Sequence, residues 1–132
     1  FTRDIAAIVT DLDNVETIAY RALGGADTIT VDDLTGTDAT GVAIDLGAAT
    51  GGGDAQADTV TVRGTDGADT VDVTRSGLQV LASGLAASTR IGGGEAALDT
   101  LRIQTGAGDD AVTVAPDVNE LITAIVDLGV DE

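Results

Sequence analysis

Six acidic side chains stand at repeating places in this chain: Glu16, Asp27, Asp58, Asp69, Asp99 and Asp110. They open and close three stretches, ETIAYRALGGAD (16–27), DTVTVRGTDGAD (58–69) and DTLRIQTGAGDD (99–110), which overlay without a gap. Within each stretch the two acids are eleven positions apart, and the stretches begin 42 and 41 residues apart. A carboxylate offers oxygen to a hard cation, accepts N–H donors, or holds a proton. There is no Cys and no His, so any metal here is an oxygen-liganded one, for which calcium is the natural candidate.

Repetition at this period marks stacked supersecondary units, in which each side chain recurs as a column. Each stretch alternates apolar and free positions, which is the period of a strand. Strand one carries Ile18/Tyr20, Val60/Val62 and Leu101/Ile103 on one face. Strand two carries Ile29/Val31, Val71/Val73 and Val112/Val114. Strand three ends at Leu12, Leu46, Ile91 and Leu128. Asp69 shares parity with Val71 and Val73, so it lies at the inner edge of its turn. The same parity holds for Glu16, Asp27, Asp58, Asp99 and Asp110.

Stacking brings like charges together. Column one reads Glu16, Asp58, Asp99 and column two reads Asp27, Asp69, Asp110, with rungs roughly 4.8 Å apart. Three outcomes relieve the repulsion. A cation sits between rungs, or turn N–H groups hold each carboxylate, or some carboxyls stay protonated.

The composition fits such a stack. The core must be Val, Ile, Leu and Ala, because the 132 residues include one Phe, one Tyr, no Trp and no Met. The net charge of −17, with six Arg as the basic residues, argues against nucleic acid and anionic membranes. No apolar run is long enough to span a bilayer, and no signal peptide is read.

The fold class expected is all-β: a parallel β-solenoid, or β-helix, with three strands per turn and about three turns of roughly 41 residues. The whole of 1–132 reads as a single repeat domain and a piece of a longer array. It divides into a partial turn 1–15 and turns 16–57, 58–98 and 99–132. SGLQVLASG (76–84) reads as an extra hairpin arm, and LITAIVDL (121–128) as a strand rather than a helical turn. About three repeats are too few to close a propeller. An antiparallel β-sandwich remains the alternative, though it leaves the columns unexplained.

GAGDDAV (106–112), TDGADTV (65–71) and LGGADTI (23–29) resemble the hemolysin-type calcium-binding nonapeptide of bacterial RTX proteins, which reads Gly-Gly-x-Gly-x-Asp-x-apolar-x. They keep its last half: Gly25, Gly67 and Gly108, then Asp27, Asp69 and Asp110, then an apolar residue. In that family Gly-rich turns supply carbonyl oxygens and the Asp ligates calcium. The resemblance therefore implies a calcium site at Asp27, Asp69, Asp110, Gly25, Gly67 and Gly108, with Asp109 beside it. Asp54, Asp66 and Asp109 read by default as surface acids and otherwise as added ligands. The family repeats in tandem every nine residues, and here the steps are eleven and about thirty. The chain thus looks like a degenerate repeat region. Column one lacks the preceding Gly, so capping by backbone N–H is the better reading there.

The function expected is a structural or adhesive repeat segment of a large secreted bacterial surface protein, calcium-stabilised, in a fibre or surface layer. It would be extracellular and would associate with itself or with neighbouring repeats. A carbohydrate or cell-surface ligand is compatible with this. The alternatives are a metal-free spacer solenoid and, from another class, a polysaccharide-acting β-helix enzyme. The enzyme reading is disfavoured because such sites bring in His, Lys or aromatic platforms that this chain lacks. Arg21 and Arg63 share one place and read as solvated charge or as partners of column one. Arg90 takes the place of Asp45 and Asp127, and is expected beside both.

Overall fold

A computed structural model describes residues 12–130 and two short strands, β1 (Thr2–Arg3) and β2 (Ile8–Val9), which pair with each other antiparallel. The strands that follow are β3 (Thr17–Leu23), β4 (Thr28–Val31), β5 (Gly41–Ala48), β6 (Thr59–Arg63), β7 (Thr70–Ser76), β8 (Gln79–Ser83), β9 (Ser88–Gly92), β10 (Thr100–Gln104), β11 (Ala111–Val114) and β12 (Thr123–Asp127). A short 3-10 helix spans Pro116–Glu120. The fold is nearly all-β with parallel sheets. No helix of the described residues is long and apolar enough to cross a membrane.

From β3 to β7 the chain alternates between two sheets, and it does so again from β10 to β12. The four-stranded sheet has the order β12-β10-β6-β4, parallel throughout. The six-stranded sheet has the order β11-β7-β8-β9-β5-β3. It is parallel except around β8, which pairs antiparallel with β7 and with β9. The β7–β8 arm is the hairpin expected at 76–84, with Gly77 at φ +66° in its tip.

Alternation buries one face of each sheet. Val60, Val62, Leu101 and Ile103 of the four-stranded sheet join Val42, Ile44, Leu46, Val71, Val73, Val80 and Ile91 of the six-stranded sheet in one core. The middle strands are fully enclosed, with Val60, Val71, Val73, Leu101 and Ile103 at 0% exposure. Removing a side chain such as Leu101 down to Ala would cost about 2–5 kcal/mol. Between the second and third turns the register is that of the sequence columns: Val60 faces Leu101, Val62 faces Ile103, Val71 faces Val112 and Val73 faces Val114.

The third strand goes elsewhere than expected. Among the described residues it builds no third sheet. β5 and β9 lie inside the six-stranded sheet, and β12, cut from the 121–128 run, is indeed a strand but pairs with β10. Ile91 faces Ile44 rather than Leu46, so Arg90 lies beside Ala43 and not Asp45. Asp127 stands in the other sheet, opposite Gln104. The expectation for Arg90 is therefore wrong. Its cause is a slip of two residues, which keeps every apolar side chain of β5 facing inward and so costs no burial.

Thr89 points into this core at 0% exposure, and its hydroxyl has no hydrogen-bond partner. A buried hydroxyl without a partner is a cost that a methyl of similar shape avoids. Thr89→Val is expected to raise stability by about 1 kcal/mol in urea unfolding, with an unchanged m-value. A destabilised variant would mean that the hydroxyl is satisfied.

Candidate functional site

The acids expected in columns do form columns, with one rearrangement. Each ladder Asp stands immediately before a strand: Asp27 before β4, Asp58 before β6, Asp99 before β10, Asp69 before β7 and Asp110 before β11. Because β4 pairs with β6, Asp27 stacks on Asp58 and Asp99. Glu16 instead precedes β3 in the other sheet, and its carbonyl accepts from Thr40 N–H and Gly41 N–H. Asp69 and Asp110 stack as expected.

Every stacked pair makes the same contact. Asp27 N–H donates to Asp58 Oδ1 at 2.7 Å, Asp58 N–H to Asp99 Oδ1 at 2.9 Å, and Asp69 N–H to Asp110 Oδ1 at 2.9 Å. The main chain continues the ladder just beyond: Thr59 N–H donates to Asp27 O, Thr100 N–H to Asp58 O and Ala111 N–H to Asp69 O. A carboxylate thus accepts from the backbone of the neighbouring rung, where the sheet's own pairing has not yet begun. N–H donors satisfy the charged form, and charge-assisted bonds of this kind are the strong ones.

The second carboxylate oxygens divide the set. Asp69 Oδ2 accepts from Thr65 N–H at 2.7 Å and Asp99 Oδ2 from Glu95 N–H at 2.6 Å, in both cases four residues back along the chain. Oδ2 of Asp27, Asp58 and Asp110 is buried with no partner. Asp58, 1% exposed, is the most enclosed of these. Its carboxyl is pushed up to about 6. Desolvation dominates, the Asp27 N–H opposes it, and the charges of Asp99, Asp54 and Asp27 add to it. Among the described residues the ion pairs Arg21–Asp45, Arg63–Asp32 and Arg75–Glu120 all lie outside the ladder. Arg21 and Arg63 are therefore partners of surface acids rather than of column one.

The calcium ligands implied by the resemblance are Asp27, Asp69, Asp110, Gly25, Gly67, Gly108 and Asp109. Asp27 lies in the column before the four-stranded sheet, while Asp69 and Asp110 lie in the one before the six-stranded sheet. Asp109 is exposed. Among the described residues no three acidic side chains group to hold a metal ion. Of these three carboxylates, Asp69 and Asp110 accept backbone N–H donors, while Oδ2 of Asp27 and of Asp110 has no donor. Gly108, at φ +128°, has a steric role: a Cβ there would lie 2.7 Å from the carbonyl carbon of Gly67. At Gly108 one turn's backbone thus rests on the next, whereas a Cβ on Gly25 would meet nothing and one on Gly67 only the Thr65 hydroxyl.

Sequence reasoning missed the support from Glu95 and Thr65, and read Asp54 as a surface acid or added ligand rather than as a cap. Asp54 accepts from Gly25 N–H and Gln56 N–H, Glu95 accepts from Ala55 N–H, and the Thr65 hydroxyl reaches Asp69 Oδ1. The spacing of four between Thr65 and Asp69, and between Glu95 and Asp99, is the signal that could have found two of them. No protein-family model, curated protein or solved structure matches this chain.

The raised Asp58 carboxyl sets a direction for pH. Its free value is 3.8 and its folded value about 6. Between these the folded chain holds a proton that the unfolded chain lacks, so its contribution is complete below about pH 4 and is lost as pH rises through 6. Asp58→Asn should flatten the stability profile between pH 4 and 6 by on the order of 2 kcal/mol. The exposed control Asp72→Asn should leave it in place. Thermal melts of the three proteins across that range decide this, and equal slopes in all three would remove Asp58 as the source.

Proposed function

We propose that this chain is a structural repeat segment: a β-solenoid of two-strand rungs that holds length and spacing within a large secreted bacterial surface protein. The observation carrying this reading is the repeated contact between rungs, in which Asp58, Asp99 and Asp110 each cap the backbone N–H of the ladder Asp beside them. Such a contact has value only in a stack, and solenoids derive their stability from neighbouring units. The acids with a paired, enzyme-like look are 8% exposed or less at Asp58, Asp69 and Asp99. A substrate in solvent does not reach them, which supports a scaffold over a polysaccharide-acting enzyme. The resemblance of the Gly-x-Asp turns to RTX repeats supports the secreted, bacterial setting.

Calcium stabilisation is a second reading, supported by the three buried Oδ2 atoms that have no donor. A ligand that binds the folded chain alone raises its melting temperature by mass action. With the carboxylates held by N–H donors, the melting temperature is expected to match within about 2 °C between excess EDTA and millimolar calcium. A larger rise in calcium that Asp58→Asn or Asp110→Asn abolishes would establish the metal reading instead.

A stack with an offset of 41 tolerates the loss of one whole period. Removing residues 58–98 leaves three strands for each sheet and places Asp99 where Asp58 stood. That variant should give a β-type circular dichroism spectrum and a cooperative, if lower, melt. Removing 58–98 together with Leu101 takes one residue from within β10, brings Arg102 to the inward position and turns Ile103 outward, so it should not fold. Two unfolded variants, or two folded ones, would count against a solenoid.

A further inference from the structure

The second turn departs from the repeat twice, and both departures meet on one surface. The β7–β8 hairpin interrupts the parallel pairing of the six-stranded sheet. Arg90 stands in β9 where the sequence columns put Asp45 and Asp127. Both line a groove of about 370 Å³. The register builds it row by row. Arg21 stands beside Asp45, Asp45 beside Gly92, and Gly92 beside Gln79. Two residues back along β3, the next row is Ala19, Ala43 and Arg90. These positions alternate with the buried Val42, Ile44, Val80 and Ile91, so they face outward. Ala19, Ala43 and Gly92 leave the floor low, and Leu78, 78% exposed at the hairpin tip, bounds one side. The groove opens across the stacking direction, so a rung added at either edge would lie beside it and not over it. Arg21 pairs with Asp45 through Nε at 3.4 Å, and Asp45 Oδ1 accepts from Gly47 N–H. Arg90 is exposed and has no ion pair among the described residues, where the arginines that donate hydrogen bonds are Arg63 and Arg75. A chain of net charge −17 thus keeps an unpaired guanidinium in a groove.

We propose that this groove is a binding site for a small sugar acid, a pyranose ring that carries a carboxylate. The site goes beyond the scaffold reading and does not depend on it. The Arg90 guanidinium presents its N–H donors in a fork that matches a carboxylate. Asp45 would repel a bare carboxylate, but its oxygens keep lone pairs beyond those that Arg21 and Gly47 use, and a sugar brings hydroxyl donors to them. The Gln79 amide offers both a donor and acceptors. It lies against Gly92, where a Cβ would sit 3.4 Å from its Nε2. Cation, acid and amide in one groove suit a ligand with a single negative charge and several hydroxyls. The low floor takes the face of the ring. The volume lies within the range of small-molecule sites, roughly 300–1,000 Å³. Insertions in repeat folds gather on one face, often the one that binds. The net charge repels anions from the surface at large, so attraction here is local, and salt that screens the long-range field should leave it in place.

Amide resonances of the isotope-labelled chain, followed at physiological salt while galacturonate or glucuronate is titrated in, read the binding. Signals of Ala19, Ala43, Arg90 and Gly92 should move together and saturate. Galactose, which lacks the carboxylate, and acetate, which lacks the ring, should each bind about tenfold more weakly or worse. Arg90→Ala removes a charge-assisted contact and should weaken the sugar acid by about tenfold or more. Gly92→Leu fills the floor without changing the charge and should do the same. Arg102→Ala removes an exposed cation from the other sheet and should leave the affinity within about twofold. Dispersed amide spectra establish that each variant is folded. Acetate bound as tightly as the sugar acids would overturn the assignment to a sugar and leave an adventitious anion site. Galactose bound as tightly would overturn the role of the carboxylate. No saturable shift at these residues with either sugar acid, or an affinity that Arg90→Ala and Gly92→Leu leave unchanged, would overturn the site itself.

Discussion

The backbone N–H of one rung bonded to the aspartate of the next is the contact on which the rest of this fold depends. Stacking acids at the spacing of a sheet is unfavourable by itself. It becomes tolerable where each carboxylate meets an N–H that would otherwise have no partner, just ahead of the first sheet bond. The arrangement solves two problems at once, since a buried donor without an acceptor costs about as much as the bond it lacks. It also explains why the Asp stands directly before its strand. One residue later, the N–H belongs to the sheet.

The reach of the sequence follows from what periodicity can and cannot encode. The pairing of Val60 with Leu101 and of Val71 with Val112 was legible, because the offset of 41 and the inward parity agree on a single answer. The partner of Ile91 was not. Val42, Ile44 and Leu46 are equally good inward residues, and a slip of two leaves the pattern intact. Nor did the repeat reveal that the chain alternates between two sheets. Equal spacing in sequence says that units stack, but it does not say how many strands complete a rung. The same gap hid the true first column, in which Asp27 rather than Glu16 precedes Asp58.

The site was legible as chemistry more than as purpose. Its carboxylates were identifiable from parity and spacing, and backbone capping was one of the outcomes they allowed. What held them could not be read, because the donors are main-chain groups from another rung and carry no residue signature. The Gly two positions before Asp matches a calcium repeat in sequence, yet Gly108 is also required where two turn backbones touch. One residue pattern serves both purposes, and only the surroundings of the Asp distinguish them.

The stack also has a mechanical character. Its described chain enters at the β3–β4 end and leaves at the β11–β12 end, so tension along the molecule runs parallel to the bonds between strands, which lie across the strand direction. Those bonds are then loaded in series and open one rung at a time, rather than sharing the force as strands in shear do. A segment built this way yields early and in steps. The two strands of the β8–β9 insertion, bonded antiparallel within one sheet alone, would let go as a separate event. Under load such a stack is compliant, lengthening by steps instead of failing at once.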